Sequence, residues 1–350
     1  MKFSALPRAR LASLPTPLQY LPNLTKRLGG PKIWVKRDDL TGLAFGGNKA
    51  RKLEYLMGDA LEKKADYIVT HAGFHSNWCT QTAAAAVKLG MKIRLVKSGP
   101  VAGYDGESWD GNHLLHRLLG AEMQVVRPED VMSAVETAMR ELRDKGHNPY
   151  YMYLGGSTPL GAAGYLNAML ELAYQAADQG IQFDYLVHAT GSGGTQAGLV
   201  LGAKAFNSNI KIIGALDSLK EKQEQIDRVK KIIDEAKDQF ELDLNVRDED
   251  LVVYNEYSGG GYGFMSEGKA QAVKLLAETE AIMIDPVYTA VAIACLVDLI
   301  KKKKFTKKEN VVFLHTGGAV ALFPYRDSLK AYILGESFPW TIPKWSPQSQ

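Results

Sequence analysis

Short apolar runs alternate with helical patterns along most of this chain, and that alternation limits the fold more than any other feature. Strand-like runs stand at Ile33–Lys36, Tyr67–Thr70, Ile93–Val96, Met123–Val126, Tyr150–Tyr153, Tyr185–Ala189, Ile210–Ala215, Val252–Tyr254 and Val311–Leu314. Helical patterns fall between them at Asn77–Leu89, Asp110–Leu119, Pro128–Lys145, Pro159–Gln179, Thr195–Phe206, Ser218–Phe240, Ser266–Thr279 and Val287–Lys303. Apolar strands separated by helices read as parallel sheets covered on both faces. The strands are too many for one comfortable sheet. An α/β chain of two domains is expected, each an open, mostly parallel twisted sheet covered by helices. The expected division is a large domain of residues 1–52 and 160–350 around a small inserted domain of residues 53–159.

Composition narrows the class. The chain has 42 basic and 39 acidic residues, a net charge of +3, which suggests neither nucleic acid nor an acidic membrane surface as a partner. Cys79 and Cys295 lie far apart, so a disulfide framework is not expected and a reducing cytoplasm fits. The first residues lack the unbroken apolar core of a signal peptide. The longest apolar helix, Val287–Ile300, carries Asp298 and is too short to span a bilayer.

Thr41–Ala60 is the richest stretch. Gly46-Gly47 forms a turn into Asn48, and Lys49 opens a pattern with apolar residues at Leu53, Leu56, Met57, Ala60 and Leu61, the spacing of an amphipathic helix. Asn48 is a good N-cap type. Lys49 then sits at the positive end of a helix dipole, where the free amine is favoured. Such an amine suits Schiff-base chemistry with a carbonyl cofactor. The plainer alternative makes Lys49 one solvated cation among Lys49, Arg51 and Lys52.

In open α/β sheets ligands bind at the C-terminal ends of strands, so those loops are the place to look for chemistry. Thr190-Gly191-Ser192-Gly193-Gly194-Thr195 leads from a strand directly into a helix and can turn successive amides and two hydroxyls toward one anion, best matched to a phosphate. The P-loop spacing is absent. Gly191 and Gly193 nearly fit a dinucleotide fingerprint, with Gln196 at its third glycine and Asp217 where a ribose-binding acid would stand, so an NAD-dependent dehydrogenase is the alternative from another class. The next such loop carries His71, His75, Ser76, Asn77 and Trp78; Ser76 and Asn77 could bind a carboxylate or ring oxygen, or cap the helix. Neither this histidine pair nor His113 and His116 has a carboxylate or cysteine at ligand spacing, and no metal site is expected. No G-x-S-x-G occurs, which argues against serine hydrolase chemistry. Tyr257–Gly263, Asp285–Thr289 and His315–Gly318 complete the set of strand-end loops.

Taken in order, these loops resemble the D-cysteine desulfhydrase and 1-aminocyclopropane-1-carboxylate deaminase family, pyridoxal-phosphate enzymes of the tryptophan-synthase-β-like fold (fold type II). The residues that carry the resemblance are LPTPL at 14–18, KRDDLTGLAFGGNKARKLEYL at 36–56, SN at 76–77, GGSTPLGAAGY at 155–165, TGSGGTQAG at 190–198, YSGGGYG at 257–263, DPVYT at 285–289 and HTGG at 315–318. They cover nearly the whole chain.

The resemblance implies that Lys49 is the Schiff-base lysine, that Asn77 meets the hydroxyl of the pyridoxal ring, and that Gly191, Ser192, Gly193, Gly194 and Thr195 hold its phosphate. It gives Ser76 the substrate carboxylate or a part in moving the α-proton, and places Tyr262 and Tyr288 at the reacting centre. It makes Thr289 the neutral partner of the ring nitrogen, where the deaminase branch has glutamate. A neutral partner gives a weaker electron sink, adequate for β-elimination but less so for opening a cyclopropane. The expected reaction is therefore a lyase reaction on a small amino acid, D-cysteine giving pyruvate, sulfide and ammonia, in a cytoplasmic homodimer. Three departures bear on the substrate. His75 and Trp78 flank the Ser-Asn pair at the proposed carboxylate pocket, Thr80 replaces an arginine of the family, and Ala290-Val291 replaces its Gly-Lys. L-Cysteate sulfo-lyases share nearly all the motifs, which keeps L-cysteate as an alternative substrate.

Overall fold

The computed structural model describes residues 3–74, 76–99, 109–206 and 208–336. Strand β1 (Leu18–Tyr20) and helix α1 (Pro22–Leu28) come first, then β2 (Lys32–Lys36) and α2 (Lys49–Glu62). Next are β3 (Tyr67–Gly73), α3 (Asn77–Lys88), β4 (Lys92–Ser98), α4 (Gly111–Leu118), β5 (Glu122–Val126), α5 (Val131–Asp144) and β6 (Pro149–Met152). The second half runs α6 (Pro159–Asp178), β7 (Tyr185–Thr190), α7 (Gly194–Ala205), β8 (Lys211–Leu216), α8 (Lys222–Phe240), β9 (Val252–Tyr254), α9 (Glu267–Glu280), α10 (Thr289–Lys301), β10 (Asn310–Leu314) and α11 (Arg326–Leu334).

The strands form two sheets. Six lie in the order β1-β2-β10-β7-β8-β9, parallel except for the antiparallel β1–β2 edge. Four lie in the order β5-β4-β3-β6, all parallel. The sequence-expected boundary at 52/53 falls inside the continuous helix α2. The period-2 alternation of strand side chains divides the large core. Leu186, Ile212 and Val312 pack against α6, α7 and α8, while Val187, Ile213, Val311 and Phe313 pack against α1, α9 and α10. In the small sheet, Ile68 and Leu95 face α2 and α3, and Val69 and Val96 face α5.

α2 is fixed by a buried ionic cluster. The Arg51 guanidinium, 1% exposed, donates to both oxygens of Asp38 at 2.8 Å and to Glu171 of α6 at 2.8 and 2.9 Å. Thr16, Tyr165 and Lys36 complete it, with Tyr165 Oη donating to Asp38 at 2.6 Å. A solvated face for Lys49, Arg51 and Lys52 is thereby overturned: Arg51 and Lys52 are both buried. Among the described residues no helix is long and apolar enough to cross a membrane.

Candidate active site

The C-terminal ends of both sheets converge on a cavity of about 310 Å³. Its walls include Asn48 and Lys49 from the start of α2, Ser76, Asn77 and Trp78 from the start of α3, and the loop from Thr190 to Gly193 with Thr195. Asp217, Tyr262, Tyr288 and Thr316 close it.

Lys49 is positioned by a seam between two loops. Asn48 N–H donates to the Thr316 carbonyl at 3.0 Å, and Gly47 pairs with Gly317 across an isolated bridge. The backbones approach so closely that a Cβ on Gly317 would stand 2.6 Å from the Gly47 Cα, and Gly317 also has a φ of +87°. Glycine is needed there. Asn48 occupies the N-cap position but makes no capping bond; its amide donates instead to Thr195 Oγ1 at 3.0 Å, joining the lysine helix to the glycine loop. Burial lowers the Lys49 amine to about 8, opposed by the nearby Asp217 carboxyl. Desolvation is the main cause, ahead of the helix end that the sequence suggests.

The glycine loop forms a cradle. Gly193 takes a φ of +88° before α7 begins, and a Cβ on Gly191 would strike the Asp217 carboxylate at 2.4 Å. Thr195 Oγ1 accepts from Asn48, which leaves its hydrogen to donate. Gly194 is not on the wall, and its N–H donates to Ser157 Oγ at 3.1 Å. Ser157 also donates to Ser192 Oγ at 2.7 Å. Beneath this loop lies the buried Lys52 amine, donating to the Gly155 carbonyl at 3.1 Å. A Cβ on Gly194 would come within 3.0 Å of Lys52 Nζ. Burial, with Lys49 beside it, pulls the Lys52 amine well below its ordinary range.

Across the cavity, Ser76 caps α3, its Oγ accepting from the Cys79 N–H at 3.3 Å, and Asn77 follows it on the wall. Trp78 shows the cavity little more than an edge: it is 2% exposed and its indole N–H is bound to Thr70 Oγ1 at 2.8 Å. His75 lies outside the described residues. Tyr262 and Tyr288 share a hydroxyl–hydroxyl hydrogen bond of 2.8 Å, and burial pushes both phenols above their usual range. Thr289 is fully buried and absent from the wall; its hydroxyl lies 2.5 Å from Asp285 Oδ1. Thr316 is the threonine that the loop after β10 presents there. Asp217 is pushed up to about 7, burial outweighing Lys269 and Lys49.

Sequence reasoning finds Lys49, Ser76, Asn77, the two tyrosines and most of the cradle, and the fold brings them to one cavity. It misses Asn48 as a bridge, Lys52 and Ser157 behind the cradle, and the position of Asp217 beside Lys49. Only the helical spacing of Lys49 and Lys52, three apart on one face, hinted at the second lysine.

The family described as "Pyridoxal-phosphate dependent enzyme" matches residues 9–317. A Pyrococcus furiosus protein provisionally named 1-aminocyclopropane-1-carboxylate deaminase is 40% identical over 335 residues, covering 94% of this chain and 97% of that protein. The D-cysteine desulfhydrase of Klebsiella pneumoniae strain 342 is 38% identical, covering 92% of this chain and 97% of the relative. Among solved structures, an ACC deaminase homologue superposes with a TM-score of 0.86 at 39% identity, covering 94% and 97% of the two chains. A T.th. threonine deaminase, at 19% identity and a TM-score of 0.63 over 87% of this chain and 92% of that one, shares the fold. These matches displace the dehydrogenase reading. The chain belongs to the pyridoxal-phosphate-dependent lyases of the 1-aminocyclopropane-1-carboxylate deaminase and D-cysteine desulfhydrase family, with the fold type II architecture.

Proposed function

We propose that this protein catalyses β-elimination from a small amino acid, converting D-cysteine to pyruvate, sulfide and ammonia. The observation that carries the reading is a buried amine set near 8 that shares one cavity with a glycine cradle and a pair of tyrosine hydroxyls. The residues fit pyridoxal phosphate. Gly191, Ser192, Gly193 and Thr195 line one wall of the cavity, and the Ser192 and Thr195 hydroxyls with the buried Lys52 behind them suit a phosphate. When bound, the cofactor supplies an aldehyde for the Lys49 amine and a ring that draws electrons from the substrate α-carbon.

The chain's own groups divide the remaining work. Lys49 anchors the cofactor and, once released, takes the α-proton on Nζ. Ser76 and the N-terminus of α3 hold the substrate carboxylate. Asn77 meets the ring oxygen, and Thr316, on the cavity wall, takes the ring-nitrogen contact expected of Thr289. Tyr262 and Tyr288 stay protonated, so one of them can hand a proton to the departing sulfur. Trp78 bounds the substrate side. Thr316 is as neutral a partner as Thr289 would be, and the weaker electron sink supports elimination over cyclopropane opening. Two further parts of the reading are the division into units of residues 1–52 with 160–350 and of 53–159, and a homodimer, checked by limited proteolysis and by light scattering.

The test incubates the protein and pyridoxal phosphate with D-cysteine, L-cysteate and 1-aminocyclopropane-1-carboxylate. Pyruvate with sulfide from D-cysteine is expected. Sulfite from L-cysteate alone would move the assignment to a sulfo-lyase, and 2-oxobutyrate from the cyclopropane alone would make the protein a deaminase.

A pH prediction follows from Lys49. Imine formation needs the neutral amine, so the rate at which apoprotein captures pyridoxal phosphate should rise with pH and reach half its plateau near 8. Asp217 raises the Lys49 value, so Asp217→Asn should move that midpoint to lower pH. Stopped-flow absorbance measures both, and a midpoint above about 10, the ordinary lysine range, would show that burial does not set this amine.

A further inference from the structure

A line of hydrogen bonds runs from the cavity into the helices behind it. Asn112 Nδ2 donates to Asn77 Oδ1 at 2.8 Å, and Thr80 Oγ1 donates to Asn112 Oδ1 at 2.8 Å. His116 Nε2 lies 2.9 Å from the same Thr80 oxygen. Lys97 Nζ lies 3.2 Å from His116 Nδ1 and 3.3 Å from His113 Nδ1. Thr80, Asn112, His116 and Lys97 are all buried.

The charge at one end fixes the direction of every link. An ammonium can only donate, so His116 Nδ1 accepts and its Nε2 carries the hydrogen. That N–H faces the Thr80 oxygen and also the Ser76 backbone, the Thr80 hydrogen goes to Asn112, and the Asn112 amide hydrogen to Asn77. With its oxygen engaged, Asn77 has its –NH2 left to offer, and Asn77 lines the cavity; a Cβ on Gly318 would stand 2.5 Å from Nδ2. Aligned links of this kind polarise one another.

We propose that Lys97, His116, Thr80 and Asn112 form a directed relay that locks the Asn77 amide as a donor into the cavity and so stabilises the anionic ring oxygen of bound pyridoxal phosphate. These are positioning residues, touching neither cofactor nor substrate, and the inference rests on the cofactor reading above. It also gives the Thr80 departure a meaning: the cation behind the Ser-Asn pair stands on β4, at Lys97. The groups facing that ammonium are His113, His116 and Arg117 of α4, Cys79 of α3, and the Phe74 ring at 4.4 Å. Burial, aided by Arg117 and opposed by Cys79, lowers Lys97 to about 8. Burial and Lys97 hold His113 at about 4 and His116 well below its ordinary value, so both rings are neutral. Proton loss from Lys97 frees every link to reverse.

The test follows the visible absorption band of the holoprotein against pH. Thr80→Val keeps the shape and cuts the relay, and Lys97→Met removes the cation. Losing a donor to the ring oxygen raises the proton affinity of the bound chromophore. Both variants should therefore shift its titration midpoint upward by about one unit, with cofactor affinity down about tenfold. Thr80→Ser should restore both. Circular dichroism shows whether each variant is folded, and Thr80→Val decides alone if Lys97→Met does not fold. A folded Thr80→Val protein with an unmoved midpoint overturns the relay and leaves the cofactor reading standing. A wild-type protein that forms no band with pyridoxal phosphate overturns both.

Discussion

Lys49→Ala is expected to lower pyruvate formation from D-cysteine by at least about 10⁴-fold, the upper end of what one positioned acid–base group contributes. The loss is large because this one amine both holds the cofactor and moves the α-proton. Lys52, close enough to feel its charge, is committed to the Gly155 carbonyl beneath the cradle. The fold should survive, since removing a buried amine set near 8 relieves desolvation. The check is a steady-state assay beside a thermal melt. Activity within about tenfold of wild type, with an intact transition, would rule out Lys49 as the reacting lysine.

Arg51→Ala should be the most destabilising single change, costing about 3–5 kcal/mol, the range for breaking one partner out of a buried ion pair. Asp38 is fully buried, and burial alone would push its carboxyl up. Arg51, Lys36 and the Tyr165 hydroxyl outweigh that and hold it below 3.8. A depressed carboxylate stabilises the fold above its unfolded value and loses that contribution as pH falls through its folded one. Without Arg51 the balance reverses. Asp38 then favours its protonated form, so the deficit should be smallest in acid and grow toward neutral pH. Urea titrations of both proteins across that range measure it, and a deficit below about 1 kcal/mol at neutral pH would mean the cluster relaxes rather than breaks.

These residues also show where sequence reading stops. Lys49 and the 190–195 loop were legible because their chemistry is local: a turn, a helix start, a run of small residues. Arg51 and Lys52 were not, because their partners stand far away in sequence, at Asp38, Glu171 and Gly155, and only the packing of α2 on α6 brings them together. The antiparallel β1 was too short and proline-flanked to read as a strand, and α1 was hidden behind Pro22. Asn48 was a sound N-cap candidate whose side chain found a better acceptor in Thr195, 147 residues on. Thr289 matched a family position, but Asp285 beside it took its hydroxyl. Local preference placed these residues, and tertiary packing reassigned what they touch.

Lys52 has one more consequence. Burial and Lys49 weaken its hold on a proton. A phosphate dianion in the cradle would strengthen that hold, so docking the cofactor should draw protons from solution. Binding heats should then differ between buffers of different ionisation enthalpy, and affinity should weaken as the medium becomes alkaline.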